Sequence, residues 1–198
     1  MIRAVIFDCF GVLTTDGWLP FKRRQFGADP GLESQATDLN KQYNSGLLTH
    51  EEFLYEIAAL AGVEVPAARS AIENNVASGE LFEYIRTRLK PGYKVGLLSN
   101  AGGDWLSDLF SPEQVAVFDA VGLSYQSGFV KPDERAYRDI AEKLGLQTEE
   151  CVFIDDQERH CAGARDAGMQ AIVYQDYEQC MSELETMLPS DAPASDLA

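Results

Sequence analysis

Residues 5–17 read VIFDCFGVLTTDG. Three apolar residues run into Asp8, and a second short apolar run starts after Gly11. An apolar run as brief as residues 2–7 suits a strand of a parallel sheet buried on both faces. The same character returns at residues 93–98 (YKVGLL), 115–119 (VAVFD), 151–154 (CVFI) and 170–174 (QAIVY). Helical patterns separate the later runs. Residues 133–144 set Ala136, Tyr137, Ile140 and Leu144 on one side, and Gly145 follows as a C-cap. Residues 158–167 read as a short helix that stops near Gly168. This alternation predicts an α/β fold: a mostly parallel five-strand sheet with helices on both faces.

The interval from about residue 14 to residue 90 is too long for one crossover. Residues 31–44 are compatible with a helix. Thr49-His50-Glu51-Glu52 forms a capping box for a helix through Leu60. Pro66 suits the first turn of a third helix ending near Asn75, and residues 79–89 suit a helix leading back to the sheet. The interval reads either as helical decoration or as a cap above the strand ends.

The chain has 198 residues, enough for one domain or one domain with a modest insertion. Sixteen basic against 32 acidic residues give a net charge of -16. Such a surface repels nucleic acid and anionic lipid but admits a small anionic substrate at a local positive site. Cys9, Cys151, Cys161 and Cys180 show no C-x-x-C spacing, so neither a zinc site nor a redox pair is signalled. The amino terminus lacks the pattern of a signal peptide, and no run approaches transmembrane length. The expectation is a soluble cytoplasmic protein. The final residues, PSDAPASDLA, read as a frayed tail.

Asp8, Ser99-Asn100, Lys131 and Asp155-Asp156 all fall at or near the carboxyl ends of predicted strands, where open parallel sheets bind their ligands. Paired acids can hold a divalent cation through oxygen. An aspartate can be a nucleophile, a lysine can neutralise it and the group it attacks, and a hydroxyl can hold phosphoryl oxygens. The pattern allows metal-assisted phosphoryl transfer. It also allows a structural ion-pair network.

The chain resembles the haloacid dehalogenase-like hydrolase superfamily, in its branch with a helical cap after the first strand. The resemblance is carried by FDCFGVL, LLSNA, GFVKPDERAY and VFIDDQERHCAGARDAG, in this order. It implies a Rossmann-like core from residues 1–14 and 86–190, a cap from residues 15–85, and a tail at 191–198. Asp8 matches the family nucleophile, Ser99 the phosphate-holding hydroxyl, Asn100 its neighbour in the site, and Lys131 the lysine that organises the charged centre. Asp156 matches the main acidic metal ligand, with Asp155 beside it. The Phe10 carbonyl matches the backbone ligand to Mg2+. Asp8, Ser99, Lys131 and Asp156 are expected to meet in one crevice.

Phe10 departs from the pattern. Phosphatases of the family usually carry a second aspartate there, which protonates the leaving alcohol and later activates water. Phenylalanine has no exchangeable proton, and such assistance is worth roughly 10²–10⁴-fold. Members that dehalogenate 2-haloacids carry an aromatic residue at this place, because halide leaves without a proton. Those members resemble Ser-Ser-Asn where this chain has Asp155-Asp156, use no metal, and usually have threonine where this chain has Val12. The reading is a slow, magnesium-dependent phosphomonoester phosphatase acting on a small metabolite through an aspartyl-phosphate. The alternatives are a 2-haloacid dehalogenase acting on a small organic acid, or a catalytically impaired member that binds a phospho-ligand.

His160 falls where relatives often have Asn or Asp. A lone histidine on a first helical turn reads as solvated or hydrogen-bonding, although its titration range suits proton transfer. His50 stands beside a cap-helix start. Trp18, Pro20 and Phe21 offer an apolar surface soon after the nucleophile, with Trp18 a candidate substrate contact. Lys22, Arg23 and Arg24 read as a solvated helix face, or as a guide for a phosphorylated metabolite.

Overall fold

In the computed structural model, residues 1–188 are described, and the expected tail at 191–198 lies outside them. Five strands form one parallel sheet: β1 Ala4–Phe7, β2 Lys94–Ser99, β3 Ala120–Leu123, β4 Cys151–Asp155 and β5 Gln170–Val173. Their order is β3-β2-β1-β4-β5, which puts β1 at the centre. Phe7 is opposite Leu97 on one side and Ile154 on the other. The residues that follow these three strands therefore emerge together at one edge of the sheet.

Helices α1 Trp18–Phe26, α2 Pro30–Asn44, α3 His50–Ala61 and α4 Val65–Glu73 lie between β1 and β2, followed by α5 Gly79–Tyr84 and a π-helical turn at Ile85–Leu89. The short helices α6 Leu106–Leu109 and α7 Pro112–Val115 precede β3, and α8 Ser124–Ser127 follows it. Next come α9 Glu134–Lys143, α10 Glu158–Asp166 and α11 Tyr177–Met187. None of the described helices is long and apolar enough to cross a membrane.

Side chains alternate across a strand, and β1 divides the core accordingly. Ala4 and Ile6 pack with Tyr137 and Ile140 of α9 and Ala164 of α10. Val5 and Phe7 pack with Leu81 and Ile85 on one helix and Cys180 and Leu184 of α11. This Rossmann-like core carries a small helical cap with its own cluster, in which Phe21, Phe26, Phe53, Leu54, Ile57 and Ala68 are buried. α5 belongs to the sheet-side cluster through Leu81, Phe82 and Tyr84, so its packing crosses the expected division at residue 85.

Two chain segments join cap to core. Thr15 N–H donates to the Val76 carbonyl at 3.0 Å, and Ser78 N–H donates to the Leu13 carbonyl at 2.8 Å. Gly17 N–H donates to Asn75 Oδ1 at 2.9 Å. At the far end of the cap, Ser124 Oγ donates to the Asn44 carbonyl at 2.7 Å and accepts from Ala101 N–H at 2.8 Å. The Tyr43 ring covers Gly102 so closely that a Cβ there would lie 2.3 Å from it.

One expected strand is corrected. Residues 115–119 are not a strand; the third strand is Ala120–Leu123. Ser111 caps α7 through a reciprocal box with Gln114, and Pro112 occupies its first turn. The apolar residues that follow cover the sheet instead of joining it: Phe118 lies 6.1 Å from Phe82 and 6.2 Å from Phe110, ring to ring.

Gly163 of α10 sits against the loop that carries Lys131. A Cβ there would lie 2.6 Å from the Pro132 carbonyl oxygen. Alanine gains up to about 1 kcal/mol of helix propensity, but overpacking against backbone costs roughly 1–3 kcal/mol. Gly163→Ala is therefore expected to lower stability by about 1–2 kcal/mol. Urea unfolding measures it, and an unchanged or raised midpoint would contradict the packing argument.

Candidate active site

Asp8 follows the last residue of the central strand, and its N–H donates to the Ile154 carbonyl at 2.8 Å. The chain then turns tightly: Gly11 N–H donates to the Thr14 carbonyl, and Thr14 N–H to the Cys9 carbonyl. Gly11 has φ +84°, and a Cβ there would stand 2.6 Å from Asp156 Oδ2. Both facts require glycine. The turn after β1 is thus packed against the acid after β4.

Lys131 ties the site together. Its Nζ lies 2.8 Å from Asp8 Oδ1 and 2.6 Å from Asp155 Oδ2. Its side chain is 1% exposed, and its ammonium stands 5.1 Å from the centre of the Phe153 ring. Asn100 fixes its backbone in both directions. Lys131 N–H donates to Asn100 Oδ1 at 2.8 Å, and Asn100 Nδ2 donates to the Lys131 carbonyl at 3.2 Å. Asn100 therefore clamps the lysine loop with both groups of its side chain.

Asp8 Oδ1 also accepts from Cys9 N–H at 2.7 Å. Oδ2 takes no hydrogen bond among the described residues. Burial, then the neighbouring Asp155 charge, pushes Asp8 well above the usual carboxylate range, against the pull of Lys131 and Cys9 N–H. Burial also pushes Asp155 up, but Lys131 and His160 outweigh it, and Asp155 titrates well below that range. Burial pulls Lys131 down, yet the two acids more than compensate, and its pKa is raised.

His160 is not solvated. It is 3% exposed, and its Nδ1 lies 3.0 Å from both Asp155 oxygens. The hydrogen-bonding expectation holds and the solvated one fails, because the first turn of α10 faces inward. Burial first, with Lys131 and Arg159 assisting, lowers its pKa despite the bond to Asp155. Asp8, Asp155 and His160 bring ligand atoms within 4.8 Å of one another. The Lys131 ammonium bridges two of them.

Asp156 differs from its neighbour. Its Oδ1 is buried without a hydrogen-bond partner, and burial, with Asp155 and Asp16 adding repulsion, pushes it up to about 6. A buried carboxylate oxygen with no donor, where the repulsion of two acids outweighs the pull of Lys131, is suited to a cation. Ser99 ends β2 and is 2% exposed. Phe10 packs at the rim of the sheet-side core, its ring 5.0 Å from Trp105. Trp105, in the loop after β2, is a site neighbour that sequence reasoning missed; its only signal was an aromatic residue six positions beyond Ser99. Trp18 packs into the cap, 5.5 Å from Phe53 and 6.4 Å from Phe21. Of the basic run, Lys22 is paired with Glu33 at 3.3 Å, and Arg24 lies over the Phe21 ring. His50 bonds Glu73 at 2.6 Å and Tyr43 at 3.1 Å within the cap.

Comparison with known proteins agrees with this arrangement. The family described as haloacid dehalogenase-like hydrolase matches residues 2–168. A phosphatase of Mycobacterium tuberculosis is 32% identical over 201 residues, covering 86% of each chain. The bifunctional epoxide hydrolase 2 of Sus scrofa is 26% identical over 93% of this chain, which spans 38% of that protein's length. Among solved structures, a HAD-like family hydrolase of Porphyromonas gingivalis is 28% identical, with TM-score 0.72 over 96% of this chain and all of that one. A HAD family enzyme of Bacteroides thetaiotaomicron, solved as a magnesium complex, is 25% identical with TM-score 0.67, covering 91% and 98% of the two chains. The match over residues 2–168 and the likeness over most of both chains show that this chain belongs to the haloacid dehalogenase-like hydrolases and is an enzyme of that family.

Proposed function

We propose that the chain is a magnesium-dependent phosphomonoesterase in which Asp8 is the nucleophile. The observation that carries this reading is the asymmetry of Asp8: Oδ1 is held by Lys131 and Cys9, and Oδ2 is free. The likeness to a phosphatase over most of both chains supports it. Asp8 Oδ2 forms a bond to phosphorus, and the ester P–O bond breaks with its electron pair on the departing oxygen. Water then attacks phosphorus, the Asp8–phosphorus bond breaks, and inorganic phosphate leaves with Asp8 restored. Lys131 opposes the burial and the Asp155 charge that push Asp8 toward its protonated form, and it faces the charge of the transferring group. Ser99 holds a phosphoryl oxygen. Asn100 acts through the lysine loop that it clamps. Trp18 serves the cap's own packing. The acting units are a core of residues 1–14 and 79–188 and a cap of residues 15–78.

The orphaned Asp156 oxygen is what makes magnesium fit. Asp8, Asp156 and the Phe10 carbonyl would hold the ion, while Asp155 is engaged by Lys131 and His160. Magnesium supplies positive charge against which two anions can approach. The substrate is a small phosphorylated metabolite.

Phe10 donates no proton, so the rate should rise as the leaving group becomes more acidic. An activated aryl phosphate is expected to turn over at least 10²-fold faster than an alkyl phosphate. Phe10→Asp should narrow that ratio, and Asp8→Asn should abolish both activities. Released phosphate measures each. A parallel assay with 2-haloacids tests the second reading, which Phe10 favours. Halide release that survives a chelator, with no phosphate released from any ester, would establish dehalogenation instead.

Asp156 makes a prediction about stability. Its folded-state value, about 6, lies above the ordinary value. Between the two the folded protein binds the extra proton, so stability falls as pH rises through that window. In chelator, wild type should lose about 1–2 kcal/mol relative to Asp156→Asn between pH 4 and 6.5, allowing for partial exposure. Denaturant unfolding across pH reads this, and parallel curves would contradict it. At pH 7, calorimetry should find magnesium binding to wild type and much weaker binding to Asp156→Asn. Equal affinities would remove Asp156 from the metal site.

A further inference from the structure

We propose that Phe10 and Trp105 form an aromatic platform for the leaving group, and that the preferred substrates are phosphomonoesters of aromatic alcohols. This rests on the phosphatase reading above.

The two rings come from two of the segments that build the site. Phe10 stands two residues beyond Asp8. Trp105 stands six beyond Ser99, in the loop whose Asn100 clamps Lys131 and whose Gly102 lies under the cap residue Tyr43. Their centroids are 5.0 Å apart and their planes cross at 60°, within the range of favourable aromatic pairs. Both are half-buried: the pair rests on the sheet-side core and keeps part of its surface exposed. No acid on the Trp105 loop replaces the missing proton donor. Asp104 is exposed, and its Oδ1 accepts from Leu106 N–H at 3.1 Å to begin α6.

The leaving oxygen must depart with its electron pair and no proton from position 10. Aryl oxygens bear that charge by delocalising it, and alkyl oxygens do not. Aromatic groups can therefore leave without an acid, and they are groups that a tilted aromatic pair can hold. Phe10 removes the proton donor and, with Trp105, supplies a surface for leaving groups that need none.

Steady-state kinetics with magnesium separate ring recognition from leaving-group acidity, using p-nitrophenyl phosphate and acetyl phosphate. Both have good leaving groups, and only the first has a ring. Wild type should show the lower KM for the aryl ester. Trp105→Ala should raise that KM roughly 3- to 10-fold, leave the acetyl phosphate KM unchanged, and leave both kcat values within about twofold. Trp105→Phe should restore the wild-type KM. If Trp105→Ala does not fold, Trp105→Leu keeps apolar bulk without a ring and should show the same selective rise. Equal KM changes for both substrates, or none, would make the pair mere packing and overturn the platform. Wild type that hydrolyses acetyl phosphate with no aryl preference in KM would overturn the platform alone. No turnover of either substrate would overturn the platform and the phosphatase reading together.

Discussion

A lysine ammonium buried between two carboxylates is the constraint around which the rest of this molecule is arranged. Lys131 is 3% exposed, Asp8 6% and Asp155 0%. Removing the cation would leave two adjacent acids in a dry site, a change that typically costs about 3–5 kcal/mol. Keeping it demands exact placement from three separate parts of the chain. The parallel pairing of β1 with β4 sets the two acids side by side. The reciprocal Asn100 bonds hold the lysine loop beside them. His160 and the Gln157 N–H then supply Asp155 with donors from the start of α10. One ammonium against two ionised acids still leaves a negative surplus. Burial and Asp155 push Asp8 toward its protonated form, and Asp156 adds a further unpartnered acid. The centre is built short of positive charge.

The cap depends on the same edge of the sheet. Its two connections leave the core at residues 13–17 and return at residues 75–78, beside the Asp8 turn. It also rests on the loop after β2, where Tyr43 covers Gly102, and on the start of α8, where the Asn44 carbonyl accepts from Ser124. The loop that fixes Lys131 through Asn100 is therefore also the loop on which the cap rests. Packing in the cap and order at the charged centre meet in residues 99–102.

Much of this was legible in the sequence because apolar runs and caps are local. Four of the five strands coincide with short apolar runs. The Thr49–Glu52 capping box starts α3 as its residues suggest, and Gly145 takes the left-handed conformation after α9. The third strand was misplaced because Val115, Val117 and Phe118 look like strand residues, whereas the Ser111 box with Pro112 starts a helix and an aromatic cluster buries the run. Asp119 then turns toward the sheet, accepting from Val95 N–H at 2.7 Å. In the site, the order of motifs nominated Asp8, Lys131 and Asp156, and the strand ends bring them to one edge of the sheet. It left open which acid faces the lysine and which is orphaned, because Asp155 and Asp156 are adjacent and only the strand register separates them. His160 was left between a solvated and a hydrogen-bonding reading for a similar reason: helical position says nothing of direction until α10 is docked.

The retained acids and the missing one look contradictory only if phosphoryl transfer is treated as a single task. On the reading proposed above, it divides into two. Lys131, Asp8, Asp156 and a bound cation handle the charge on phosphorus and its oxygens, and none of them requires anything of residue 10 except its carbonyl. The side chain of residue 10 concerns the departing oxygen alone. Replacing an acid there by Phe10 leaves the first task intact and transfers the second to the substrate, whose own electronic structure must carry the negative charge away. Chemical selectivity then follows from an absence. An enzyme with a proton donor accepts good and poor leaving groups alike, whereas one without it discriminates by leaving-group acidity before any contact from the cap is made.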